Sequence, residues 1–414
     1  MKSLQTFICQ ISQIIKDNDF IAKYRNKASY FTRSSAKLTF EILLFFLLTL
    51  PRQSAQCALN RFIKERGYDF SLHKQSLFEA REKLSHSVFI DLNNNFFLRD
   101  HVYSGTFKTY YGLRVIAVDG SVFDVPAGAD WFGTLKTSGE PAPKAQTVAF
   151  TDVMNEYIVR AEIHPYGIGE TNVARQMLRE LLKTDTLSNL FLFDRGFFSR
   201  ELARELYDHA KFLFRVNSQS LKEINEANES DQTIIRREKG KPDLRLRVIN
   251  YVLPNGEVEK LVSNIFDTSL AAEDFGELYR MRWGVETCFL TLKSRLQIEN
   301  FSSAKRELIL QDFYASIFVY NMMTAAINEA AEKATKKQGK HVYKANKNIA
   351  IAEIRGILID SLSDDDPIKR QNSFMRAMDA ISRSVVPVRP GRSYKRIVKH
   401  KSAKFSLNKK PGLA

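Results

Sequence analysis

The chain has 414 residues, too many for one compact core, and should hold two to four substructures. Its 44% hydrophobic and 26% charged residues are the balance of an ordinary soluble globular protein. The net charge of +15 is unevenly spread: Lys333 to Lys347 holds six lysines and no acid, and Arg389 to Lys410 holds nine Lys or Arg and no acid. Blocks of that kind seek phosphate, which makes nucleic acid the leading partner. Cys9, Cys57 and Cys288 are isolated and odd in number, which argues against a disulfide framework or a zinc cluster.

Residues 1 to about 100 read as helical. The apolar run Ile42 to Leu50 is bracketed by Glu41 and Pro51 and is too short to span a bilayer, so it reads as a buried core helix. The first residues lack a basic start followed by an apolar block, and the expected compartment is the reducing cytoplasm. Gln53 to Arg66 has helical periodicity and Gly67 breaks it. Ser71 is the expected cap of a second helix running to about Leu84. With Lys74, Arg81 and Lys83 on the second member, the pair has the outline of a helix-turn-helix.

From Arg114 the period changes. Val115-Ile116-Ala117-Val118 is a continuous apolar run, as expected of a strand buried on both faces, and it ends in Asp119-Gly120. Ala145 to Asp152 and Tyr157 to Ile163 predict a hairpin through Met154-Asn155-Glu156. A helix follows over Glu170 to Leu182, and then a second buried strand, Leu190-Phe191-Leu192-Phe193, ends in Asp194-Arg195-Gly196. Ser199 caps a helix to about Ala210, and Lys211 to Val216 is a fifth strand. This order predicts a mixed α/β sheet with helices on its faces.

Residues 218 to about 264 break the plan with a β-rich insertion around a Pro254-Asn255-Gly256 turn. Phe275 to Leu296 then predicts one helix carrying Tyr279, Arg282, Glu286 and Lys293 within an arc of roughly 60°, beside an apolar stripe of Leu278, Val285, Phe289, Leu292 and Leu296. A carboxylate between cations suits a site that holds a metal and a phosphate together. A further helix runs from Leu308 to about Lys333, and Asp364-Asp365-Asp366-Pro367 marks a loop.

Asp119 and Asp194 occupy equivalent strand ends, where open α/β sheets gather ligands. With Glu286 they form an oxygen-only set suited to Mg2+, and two such ions about 3.5–4 Å apart clamp an in-line phosphoryl displacement. Strand-end Asp-Gly pairs are also common turn chemistry. The combination, however, resembles the DDE transposases of bacterial insertion sequences, in particular the insertion-sequence-four family. That family's Tyr-x2-Arg-x3-Glu-x6-Lys signature stands here as Tyr279, Arg282, Glu286 and Lys293, with Trp283 beside the arginine. Val118-Asp119-Gly120-Ser121 and Asp194-Arg195-Gly196-Phe197 are similar to its two aspartate motifs, and Gly169-Glu170 and Pro387 to Arg392 also resemble the family.

The resemblance implies an α/β fold: a ribonuclease-H-like catalytic core with a β-rich insertion, flanked by helical N- and C-terminal regions. The expected division is a helical DNA-binding region over 1–105, the core over 106–217 and 265–310, the insertion over 218–264, and a helical region with basic tail over 311–414. The resemblance also implies that Asp119, Asp194 and Glu286 bind two Mg2+ ions, with Mn2+ able to substitute. There water, and later a DNA 3′-hydroxyl, is activated without a covalent protein–DNA intermediate. Arg282 and Lys293 would grip phosphates at the transposon end, Tyr279 would lie along its backbone, and Arg195 and Trp283 are further DNA contacts. The expected partners are transposon-end and target DNA, with a homodimer in the synaptic complex and no membrane. Relatives that excise through a DNA hairpin stack a flipped base on an aromatic residue of the insertion. Trp131 and Trp283 both lie outside that insertion, leaving Tyr251 or Phe266. The competing readings are a metal-dependent nuclease of the same fold and a catalytically silent DNA-binding regulator.

Overall fold

The computed structural model describes residues 4–33, 35–51, 53–135, 142–217, 221–253, 255–334, 343–363 and 366–387. The basic stretch Arg389 to Lys410, residues 335–342 of the first basic block, Pro254, Asp364, Asp365 and the 388–392 part of the terminal motif lie outside them. The chain forms two compact units. One comprises Met1–Thr106, Asp124–Lys144 and Thr291–Ala414, and the other Phe107–Phe123 and Ala145–Leu290. The expected core boundaries therefore differ from the observed ones. Residues 124–144 and 291–310 go with the helical unit, and the expected insertion stays with the sheet.

The second unit is built on a sheet whose main strands are β1 Arg114–Asp124, β2 Ala142–Asp152, β3 Tyr157–Pro165, β4 Asn189–Phe193, β5 Lys211–Val216, β6 Asp231–Arg236, β7 Leu244–Val252 and β8 Val258–Ser263, in the order β3-β2-β1-β4-β5-β8-β7-β6. Val115 to Val118 and Leu190 to Phe193 are wholly buried, as strands covered on both faces must be. β1, β4 and β5 run parallel, whereas β2 and β3 form an antiparallel hairpin with a bulge at Phe150/Thr151. The strand order 3-2-1-4-5 with this hairpin is that of a ribonuclease-H-like core. Helices Glu170–Thr184 and Arg200–Tyr207 connect β3 to β4 and β4 to β5, the second capped by the Ser199 hydroxyl on Leu202 N–H.

The segment expected to interrupt the sheet extends it instead. β8 pairs antiparallel with β5 (Leu213 with Ser263), β7 with β8, and β6 with β7. β5 would otherwise present a row of unpaired backbone groups, and β8 covers that edge. Asn264 fixes the join, accepting from Phe212 N–H at 2.9 Å and donating to the Ala210 carbonyl at 2.9 Å.

The first unit is helical around Arg306–Ala334, with Phe40–Leu48 buried almost throughout as its composition requires. The second helix of the helix-turn-helix candidate starts at Lys74, two residues later than expected, because His73 rather than Ser71 accepts the first N–H. Arg81 corrects the sequence reading more sharply. It is 1% exposed and bonds Gln311 Oε1 at 3.0 Å, the Leu308 carbonyl at 2.9 Å and Asp312 Oδ1 at 2.8 Å. This guanidinium locks helix to helix and offers nothing to DNA. Lys74 remains exposed, and Lys83 lies 5.6 Å from the Tyr30 ring centroid. Among the described residues no helix is long and apolar enough to cross a membrane.

Candidate active site

The register of the parallel pair builds the first half of the site. Val118 stands opposite Phe193, the last pair of the parallel ladder, so Asp119 and Asp194 follow side by side, about 4.8 Å apart in the pairing direction. Asp194 follows the end of β4, whereas Asp119 lies within β1, which runs on to Asp124, past the point where the sequence expectation ended it. Asp119 is anchored by the Gly120 N–H on Oδ1 at 2.8 Å, and Asp194 opens a short turn of 3-10 helix, Arg195–Phe197.

The second half comes from the Tyr279–Glu286 stretch, which is not one helix. Helix Ala272–Arg280 ends, helix Trp283–Leu290 begins, and Thr291–Arg295 widens into a π turn. The break consists of i→i−3 bonds from Met281, Arg282, Gly284 and Val285 to Leu278, Tyr279, Met281 and Arg282. The regular wheel drawn from the sequence therefore does not hold. The second helix seats closely, since a Cβ on Gly284 would stand 2.9 Å from Val153 Cγ1, and Val153 N–H bonds the Val115 carbonyl of β1. Glu286 is carried toward Asp119 by that contact.

Arg282 gathers the acids. Its side chain is 4% exposed, with Nη2 donating to Glu286 Oε1 at 2.8 Å and Nη1 3.5 Å from Asp119 Oδ2. The Tyr279 hydroxyl donates to Asp194 Oδ1 at 3.0 Å. Tyr279 is buried, and burial together with the Asp194 charge pushes its phenol well above the ordinary range, so it stays a donor. In this structure Tyr279 and Arg282 are thus committed to the carboxylates, whereas the sequence expectation laid them along DNA.

The two aspartates differ electrostatically. Burial pushes Asp119 up to about 6, with Glu170 and Asp194 adding to the rise against the Gly120 N–H and Arg282. Burial acts the same way on Asp194, but the Arg195 N–H, Arg282 and Tyr279 outweigh it and hold that carboxyl below its usual value. Glu170 is raised by burial and by Asp194. The sequence reading placed Gly169-Glu170 among the stretches that resemble the family but assigned Glu170 no role.

The remaining candidates are scattered. Arg195 is exposed and forms no ion pair among the described residues. Trp283 is 54% exposed, with the Arg282 guanidinium 5.4 Å from its ring centroid. Lys293 belongs to the helical unit, in the π turn, with Nζ 3.5 Å from Glu299 Oε1. Phe266 lies under the Arg245 guanidinium at 4.5 Å, and the Tyr251 hydroxyl accepts from Arg280 Nη2 at 3.1 Å.

The donor set fits a hard divalent cation. It is oxygen-only, and burial first, with neighbouring carboxylate charge adding to it, lifts Asp119 and Glu170. The buried Arg282 Nε has no hydrogen-bond partner among the described residues. Among the described residues no three His, Cys, Asp or Glu side chains are drawn to ion-binding distance, since Arg282 bridges Asp119 and Glu286.

Residues 110–322 match the Transposase DDE domain family, and the chain belongs to that family. It is also similar to a probable transposase for insertion sequence element IS5377 from Geobacillus stearothermophilus, 26% identical over 142 residues. That stretch covers 31% of this chain and 37% of the relative, so the match spans well under half of that protein. Among solved structures the chain is similar to a piggyBac transposase in a synaptic complex with hairpin DNA. The identity is 14%, the coverage 95% of this chain and 87% of that one, and the TM-score 0.48.

Proposed function

We propose that the chain is a DNA transposase of the insertion-sequence-four type. It binds the terminal inverted repeats of its element, cleaves the ends by phosphoryl transfer and joins the 3′-hydroxyl ends to target DNA. The observation that carries this reading is the convergence of Asp119, Asp194 and Glu286, from two neighbouring strands and a helix, on one buried guanidinium. Membership in the DDE family and the spacing of Tyr279, Arg282, Glu286 and Lys293 support it.

In this reading Asp119, Asp194 and Glu286 would hold two Mg2+ ions, or Mn2+ in their place, whose Lewis-acid charge stabilises the attacking and leaving oxygens. Asp119 loses its proton near pH 6 and is available as an oxygen ligand above it. Tyr279 orients Asp194 through its hydroxyl, and Arg282 balances charge among the acids while turning its Nε–H to a phosphate oxygen. Arg195 and Trp283, both exposed, and Lys293 contact the DNA end. Two ends require two active sites, so a homodimer forms on DNA, and binding falls steeply with salt.

The test is cleavage of labelled DNA carrying the element's own end, with Mg2+, by wild type and Glu286→Gln. Wild type cuts at the end, while the variant binds equally and does not cut. Equal cutting by both removes Glu286 from the site. Binding without cutting by either leaves a DNA-binding regulator.

A further inference from the structure

Resting on the site proposed above, we propose that Glu170 supplies a fourth carboxylate to the divalent-ion site, and that position 120 is glycine in order to admit it. Glu170 opens helix Glu170–Thr184, and its side chain turns back between the two turns that carry the aspartates. A Cβ on Gly120, the residue after Asp119, would overlap Glu170 Oε2 and would stand 3.0 Å from Gln146 Nε2 and 3.1 Å from Glu170 Cβ. On the other side, a Cβ on Gly196, two residues after Asp194, would touch Glu170 Oε1 at 3.6 Å. The helix start is tied to the same turn, because Thr171 Oγ1 donates to the Gly196 carbonyl at 3.3 Å.

Conformation alone does not require glycine at 120, since its φ lies outside the left-handed region, and the Glu170 carboxylate is the nearest group in the space a Cβ would take, with Gln146 Nε2 beside it. Glu170 also forms no ion pair among the described residues, although the chain carries 62 lysines and arginines. A half-buried carboxylate placed against two others without a cation of its own raises the electrostatic cost of the metal-free protein. The purpose of such an arrangement is to bind positive charge. The orphaned Nε–H of Arg282, in the same unit, independently marks the place as one that receives an anionic ligand. A divalent cation that carries a DNA phosphate would answer both.

The test uses the full chain without DNA and reads Mn2+ affinity by calorimetric titration, beside thermal melting in chelator. Glu170→Gln keeps the shape and removes the charge, and the expected result is a ten- to hundredfold weaker Mn2+ affinity with melting in chelator at or above that of wild type. Asp119→Asn serves as the reference. If it weakens Mn2+ binding while Glu170→Gln does not, the inference about Glu170 is overturned and the site stands. If neither weakens it, the site itself falls. Gly120→Ala, which evicts the Glu170 carboxylate, should weaken Mn2+ as much as Glu170→Gln, and adding it to Glu170→Ala should change nothing further. A Gly120→Ala protein that binds Mn2+ as wild type overturns the steric half of the argument.

Discussion

Replacing Arg282 with methionine isolates the charge balance on which the site depends. The side chain keeps its apolar stem and loses a guanidinium that holds Glu286 at 2.8 Å and stands 3.5 Å from Asp119. Each pair is worth about 5–6 kcal/mol at an effective dielectric of 20. The dehydration of a side chain that is 4% exposed offsets several kcal/mol of that. Removing one partner leaves charges uncompensated, and with Glu286 partly solvated the net loss is about 3 kcal/mol at pH 8. For a unit of this size that is roughly 6–12 °C in melting temperature. The loss should shrink as pH falls toward 5. Arg282 favours the ionised form of Asp119, so without it that carboxyl is raised further and protonates sooner. Saturating Mg2+ should close much of the gap, because an ion that binds only the folded state stabilises it in proportion to its affinity. The assay is thermal melting in chelator and in Mg2+ at both pH values. A variant within a degree of wild type at pH 8, or a gap indifferent to Mg2+, refutes the view that Arg282 stands where the acids need a positive charge.

Other consequences are tested more simply. Asp119 titrates near 6 in the folded chain against an ordinary value near 3.8, so its contribution to stability is fully present below about 4 and is lost as pH rises through about 6. In chelator, Asp119→Asn should therefore melt with wild type near pH 4 and above it at pH 8, by about 2–3 kcal/mol. The reverse order would show that Asp119 is not strained by its surroundings. Arg81→Met should destabilise the helical unit by about 3–5 kcal/mol, since Asp312 is left buried and unpaired. Its DNA affinity, measured below the melting range, should stay within about twofold of wild type, whereas a selective loss of binding would restore the helix-turn-helix reading. Gly284→Val should cost about 1–3 kcal/mol and depress cleavage more than end binding, because bulk against Val153 displaces the helix that carries Glu286.

What the sequence made legible was local. Val115 to Val118 and Leu190 to Phe193 advertise strands covered on both faces because nothing polar interrupts them, and the residue that follows each apolar run is one of the two aspartates. Their adjacency is a property of register between chain segments 75 residues apart, which periodicity does not carry. The same limit hid the sheet extension. Residues after 218 turn polar and read as a departure from the core, yet β8 is drawn to β5 by an open edge that exists only once β4 and β5 have paired.

The helix break at Met281–Arg282 was illegible for a different reason. Met, Arg and Trp are acceptable helix residues, and no glycine or proline stands at the break itself. The cause lies two residues on, where Gly284 lets the second helix close on Val153, and the chain between must tighten to reach it. Sequence spacing correctly grouped Tyr279, Arg282 and Glu286, because the tightened turn still brings all three to the aspartates. It could not assign what each does there. A charged residue written in a sequence looks solvent-seeking or ligand-seeking until burial is known. Arg81 and Arg282 both read as phosphate grips and are both interior, one holding helices together and the other holding carboxylates. That difference follows from the partners that meet them: a single buried acid is neutralised by the one guanidinium, whereas several acids around one cation leave charge to spare, and spare charge is what makes a binding site.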